Sequence, residues 1–513
     1  MRRSVSRIGS ILFALGLVLA PAVAAQVSGE IRSAIGDIDT DEITADLEYL
    51  TSEELYGRHT AQPGQEKAAE YIAKQFEAAG LENVPGHEGW YHLWPMNVID
   101  AVDEDCRLLV HPAQGEATSF EPRKDFIPVR ISKDGTVEAP VVFVGYGIQS
   151  KKYRHDDYGR IDVRGKIALA LWQEPGQDKR TRAFEGKELT QHSSFYTKAE
   201  VAQERGAVAL MVVSGPLLYE DAPDAAPFEL PTHNWPALRS KRNRINIPVV
   251  HVSRRVAEAI LGQDLLELQK ESDKRSKPFE VEGSQVELSI KTEATTRQVA
   301  NVVGFRPGSD PELKDQVVVL GAHYDHMGMD FDGTGLINRG ADDNASGTSA
   351  LMAIARALGQ EDIELQRSVL FIAFSGEEEG LLGSKAYCEN PLLPHASCIA
   401  MLNMDMVGRN HPAELTIGEP DEHPLLRRSI QKANSVGGIR MKIEYGAQEF
   451  FNRSDQFYFH QAGIPAAFFF AGLHDDYHKP TDTADKIVEK KVQRVARLIA
   501  GTTIEIANSP ASR

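Results

Sequence analysis

Gln316-Val317-Val318-Val319-Leu320-Gly321-Ala322-His323-Tyr324-Asp325-His326 is the stretch that decides the reading of this chain. Its run of branched aliphatics lacks polar alternation, which predicts a strand buried on both faces, as in a parallel sheet covered by helices. An imidazole and a carboxylate follow at its carboxyl end, the side on which open α/β sheets carry their functional crevice. Three later stretches repeat the plan. Val369-Leu370-Phe371-Ile372-Ala373-Phe374 is followed by Glu377, Glu378 and Glu379. Ile399-Ala400-Met401-Leu402 leads to Asp405, and Ala466-Ala467-Phe468-Phe469-Phe470 leads to His474, Asp475, Asp476, Tyr477 and His478. Ser349–Leu358 has the pattern of a helix between the first two strands, preceded by the loop Gly340-Ala341-Asp342-Asp343-Asn344-Ala345-Ser346-Gly347. Strands alternating with helices predict a mixed, mostly parallel, doubly wound α/β sheet flanked by helices.

Any one of these groups alone is commonplace: an acidic triplet is usually a solvated face, and Asp-Asn stretches are usually turns. Four consecutive strand ends that all carry ligand chemistry are a different matter, because the fold brings them together in space. Imidazoles and carboxylates without thiolates suit zinc, with manganese or cobalt as alternatives. So many carboxylates point to two ions, with one carboxylate shared and one His and one carboxylate for each.

Outward from this core, the chain of 513 residues changes texture twice. Residues 26–125 include an amphipathic helix from Gln65 to Ala79, with Ala68, Ala69, Ile72, Ala73 and Phe76 on one stripe and Gly80 at the cap. Residues 126–285 hold short apolar runs, Ala139–Val144, Lys166–Leu171, Ala209–Val213 and Ile247–Val252, and a helix-like Lys198–Arg205. No His and carboxylate cluster occurs there, so this zone reads as a small α+β accessory insert, with residues 286–513 completing the main domain. Residues 1–25 read as an export signal: Arg2, Arg3 and Arg7, an apolar run from Ile8 to Leu19, then Ala22-Val23-Ala24-Ala25. A secreted, periplasmic or extracellular protein without a membrane anchor is therefore expected. The net charge of −18, from 56 Lys+Arg against 74 Asp+Glu, argues against a nucleic-acid partner. Cys106, Cys388 and Cys398 are too few for a disulfide scaffold, though the last two are close enough in sequence to pair.

His-x-Asp, Asp-Asn-Ala-Ser-Gly, Glu-Glu-x-Gly-Leu-x-Gly-Ser, Asn-x-Asp-Met and a late His before Pro-x-Asp-Thr together resemble the co-catalytic two-zinc aminopeptidase family. That family includes bacterial leucyl aminopeptidases, glutamate carboxypeptidase and the transferrin receptor. Val144-Gly145-Tyr146-Gly147 and Asp162-Val163-Arg164-Gly165-Lys166 resemble the protease-associated domain that many members insert. The resemblance implies two Zn2+ per chain, with Asp343 bridging, His323 and Asp405 completing one ion, and Glu378 and His478 the other. It implies Glu377 as general base, Asp325 as the carboxylate orienting His323, and Tyr477 as a hydrogen-bond donor to the oxyanion. It leaves His326, Asp342, Glu379, His474 and Asp476 outside the ligand set. The activity implied is removal of N-terminal residues from peptide substrates. The alternatives are a carboxypeptidase or dipeptidase, a single-zinc glutaminyl cyclase, or a receptor-like binder without catalysis. Acidic and basic candidates for holding a peptide terminus are nearly balanced: Glu449, Asp455, Asp475 and Asp476 against Arg409, Arg453 and Lys479.

Overall fold

The computed structural model describes residues 29–510 except 30, 130, 177–183, 185–189, 220–234, 237–243, 329–336, 419–422 and 437–438. The expected export signal lies outside the described residues. Two compact units emerge: one comprises the chain up to Pro95 with Gln298–Gly328 and Ile337 onward, the other Met96–Arg297.

In the first unit the four apolar runs are strands. We label β1 Tyr91–Ala101, β2 Thr292–Arg306, β3 Val317–His323, β4 Ser368–Phe374, β5 Cys398–Met404, β6 Glu414–Gly418, β7 Lys442–Tyr445 and β8 Ala466–Phe470. Their order across the sheet is β1-β2-β4-β3-β5-β8-β6-β7. β3 runs parallel to β4 and β5, and β5 parallel to β8, while β2 and β6 pair antiparallel with β4 and β8. The unbroken apolar texture has a direct cause. Val318, Leu320, Ala322, Phe371 and Leu402 enter a core on one face, and Val317, Val319, Leu370, Ile372 and Met401 enter one on the other. Neighbouring side chains point oppositely, so both sets must be apolar. α1 (Thr40–Leu50), α2 (Pro63–Ala78), α3 (Gly347–Leu358) and the long C-terminal α4 (Glu489–Ala507) supply side chains to the first core. α2 buries the expected stripe, and Gly80 beyond its end has φ 79°.

The second unit has an eight-stranded sheet in which the apolar runs read from sequence lie in Gly135–Phe143, Ile167–Leu171, Ala209–Val213 and Val249–Val252, which form a parallel centre. Its extent exceeds the 126–285 read from texture. Phe279–Ile290 pairs with both Arg107–His111 and Gly135–Phe143, which ties the earlier strands to the insert's sheet. The three cysteines are free thiols. No described helix is long and apolar enough to cross a membrane.

Candidate metal centre

Each predicted group lies at the carboxyl end of its strand. His323 is the last residue of β3 itself, with Nε2 3.3 Å from Asp343 Oδ1 and 3.4 Å from Asp405 Oδ1. Asp405 follows β5 directly, and its N–H donates to the Phe469 carbonyl of β8. His478 Nε2 lies 3.0 Å from Asp343 Oδ2 and 3.2 Å from Glu378 Oε2. Asp343 thus turns one carboxylate oxygen to each imidazole.

The loop that presents Asp343 is held from several sides. Asp482, in the Pro-x-Asp-Thr stretch, accepts at Oδ2 from the N–H groups of Asp342 and Asp343. The peptide Asp343–Asn344 is cis. The Asn344 amide donates to the Met404 carbonyl and accepts from the N–H groups of Gly347 and Met406, fixing this loop to the end of β5.

Asp325, expected from the resemblance to orient the His323 ring, stands beside that ring. The His323 ring Nδ1 lies 3.2 Å from the Asp325 carbonyl oxygen, whereas the carboxylate is at 3.7 Å. That carboxylate is occupied by other donors: Thr60 Oγ1 at 2.7 Å and the N–H groups of Glu377 and Glu378. It positions the acidic turn.

Two groups of donor atoms lie close enough to share a cation: His323, Glu377 and Asp405, and His326, Asp343 and Glu378. His326, which the motif comparison sets aside, is inside the cluster, with Nδ1 2.7 Å from Glu378 Oε1. The other four set aside have partners elsewhere. Asp342 accepts from the Gly408 N–H and faces His474, Glu379 pairs with His59, and Asp476 pairs with Arg409 and Lys486. The Arg409–Asp476 pair removes one candidate of each sign from the balance of terminus-binding groups. The residues fit zinc: His323 Nε2 and Asp405 Oδ1 are buried without a hydrogen-bond partner, and the donor set is imidazole and carboxylate without thiolate.

Tyr477 stacks its ring on His478, and its hydroxyl is 3.5 Å from Arg453. Arg58 and Thr60 escaped the sequence reading. The buried Arg58 guanidinium donates to the carbonyls of Tyr324, Arg339 and Gly340, and also to that of Leu50. It staples the end of β3 to the Asp343 loop. A lone Tyr-Gly-Arg-His-Thr between two helices offers no pattern from which this could be read.

The electrostatics separate the adjacent acids. Burial pushes the Glu377 carboxyl well above the usual range, and Glu378, Asp405 and Asp455 add to it against the opposing His323. Burial and Asp343 also work to raise Glu378, but His326 and His478 outweigh them and hold it at about 2. Burial would lower His478; Asp343 and Glu378 overcome it and raise the ring to about 10.

A mostly parallel sheet whose central strands end in clustered imidazoles and carboxylates defines an α/β domain with a candidate metal site. Residues 301–503 match Peptidase family M28, and residues 137–260 match the PA domain. Over those residues the main unit is similar to peptidase family M28, and the insert to the PA domain. The chain is 27% identical to the Bacillus subtilis protein named Aminopeptidase YwaD, over 72% of this chain and 66% of that one. It is 30% identical to Leupeptin-inactivating enzyme 1 of Streptomyces exfoliatus, over 36% and 38% of the two chains. The matches thus span less than two thirds of these curated relatives. Among solved structures, BSAP, a zinc aminopeptidase from Bacillus subtilis, shares the fold, with a TM-score of 0.50 and 22% identity over 91% of this chain and 94% of that one.

Proposed function

We propose that this chain is a secreted zinc aminopeptidase that removes N-terminal residues from peptides using two zinc ions per chain. The observation that carries the reading is Asp343, whose two carboxylate oxygens face the separate imidazoles His323 and His478. His323 and Asp405 would complete one ion, Glu378 and His478 the other. Bound there, the zinc ions would polarise the scissile carbonyl and make a water nucleophilic near neutral pH. Glu377, a poor acid in its buried position, is suited to take the attacking water's proton and deliver it to the leaving amine as the C–N bond breaks. Tyr477, whose ring stacks on His478, would donate its hydroxyl to the developing oxyanion. The names of the Bacillus subtilis relatives support attack at the N-terminus.

Mass analysis of products from one short peptide and its N-acetylated twin tests this. The free peptide should shorten from its N-terminus and the acetylated one should persist. Trimming of the acetylated peptide from its C-terminus at a comparable rate would establish a carboxypeptidase instead. Export is tested by the N-terminus of the protein recovered outside the cytoplasm, which should begin just after Ala25; an intact Met1 would refute it.

A further inference from the structure

We propose that His326 is a positioning residue for Glu378: its Nδ1–H holds Oε1, so that Oε2 is left facing His478 and Asp343. The proposal rests on the reading of Glu378 as a metal ligand. Glu378 divides its oxygens between two imidazoles, with Oε1 2.7 Å from His326 Nδ1 and Oε2 3.2 Å from His478 Nε2. An ionised carboxylate only accepts, so the Nδ1 of His326 carries the proton. An unrestrained Glu side chain can swing or bind through either oxygen; a donor on Oε1 removes that freedom.

The ring is itself held. It is fully buried, its backbone N–H donates to the Arg58 carbonyl, and it packs over Gly340. Gly340 has φ 54°, and a Cβ there would run into the His326 ring and the Asp343 carbonyl. Direct ligation fits the geometry less well. Nδ1 is spent on Glu378 and lies 4.0 Å from Asp343 Oδ2.

Zinc affinities of the full-length protein, measured by competition with a chromophoric chelator, test the proposal in His326→Asn, His326→Gln and His326→Leu. Asn places an amide donor near the Nδ1 position, and Gln places one near Nε2. His326→Leu and His326→Gln should weaken one of the two zincs by about 10–100-fold and spare the other, while His326→Asn should recover most of the loss. Wild-type affinity at both sites in His326→Leu would overturn the proposal. So would a folded His326→Asn that binds as weakly as His326→Gln, because imidazole itself would then be required. If His326→Leu does not fold, the Asn and Gln variants decide alone. Wild-type protein that binds fewer than two zincs would refute the two-metal reading instead, whatever the variants do.

Discussion

Two adjacent acids, Glu377 and Glu378, share a turn, yet their surroundings pull their protons in opposite directions. Glu377→Gln should keep its zinc content but lose turnover by about 10²–10⁴-fold, roughly 3–5 kcal/mol of barrier. Glu378→Gln should instead bind less zinc, which elemental analysis reads directly; exchanged phenotypes would put the register across the triplet wrong. The imidazole–carboxylate contacts also set a pH dependence in zinc-free protein. Protonated His478 is favoured in the fold, so its contribution is complete below about 6.5 and is lost as pH rises through about 10. Ionised Glu378 is favoured, so its contribution is complete above about 4.5 and is lost as pH falls through about 2. The urea midpoint should therefore be highest between about pH 4.5 and 6.5 and decline toward 10. A midpoint that climbs over that upper range would contradict the pairing. All five proposed ligands were legible in sequence because strand ends and short motifs carry them. His326 was not: its signal is one residue past a motif, and only the ring's contact with Glu378 gives it meaning.

Among elements, the strands that could be read beforehand are those buried on both faces, where nearly every side chain is apolar. β1 and β2 could not: Pro95 interrupts one, and Thr292, Thr295, Thr296 and Arg297 make the start of the other polar. The segment Glu53–Arg58 was equally opaque, since its backbone enters the left-handed region at Tyr56, Gly57 and Arg58 to send the guanidinium inward. Arg58→Met would strand the carbonyls of Tyr324, Arg339 and Gly340 without their donor. Leaving buried acceptors unpaired costs about 1–3 kcal/mol each, so urea unfolding should show a loss of at least about 3 kcal/mol. A loss below about 1 kcal/mol would mean that water replaces the staple.

For the molecule as a whole, domain texture located the insert but misplaced its edges, because pairing between residues more than 150 apart leaves no local trace. Arg107–His111 belongs with Phe279–Ile290, and the Val102 N–H donates to the Lys291 carbonyl where the two chain passes meet. Excising 126–285 would leave Arg107–Val110 paired with Val286–Ser289 but remove their partner strand Gly135–Phe143 and expose strand edges, so the product should aggregate. Joining Val102 to Lys291 through a short turn should instead give soluble protein that still binds zinc and hydrolyses a minimal chromogenic substrate, with altered preference among longer peptides. Insolubility of the second excision, with solubility of the first, would reverse the boundary. Anomalous diffraction at the zinc edge, from crystals grown with zinc, reads out a shared-carboxylate two-zinc centre. Two peaks about 3.5–4 Å apart should appear, with Asp343 between them, His323 and Asp405 on one, and Glu378 and His478 on the other. A single peak at full occupancy, or a pair that Asp343 does not bridge, would contradict it.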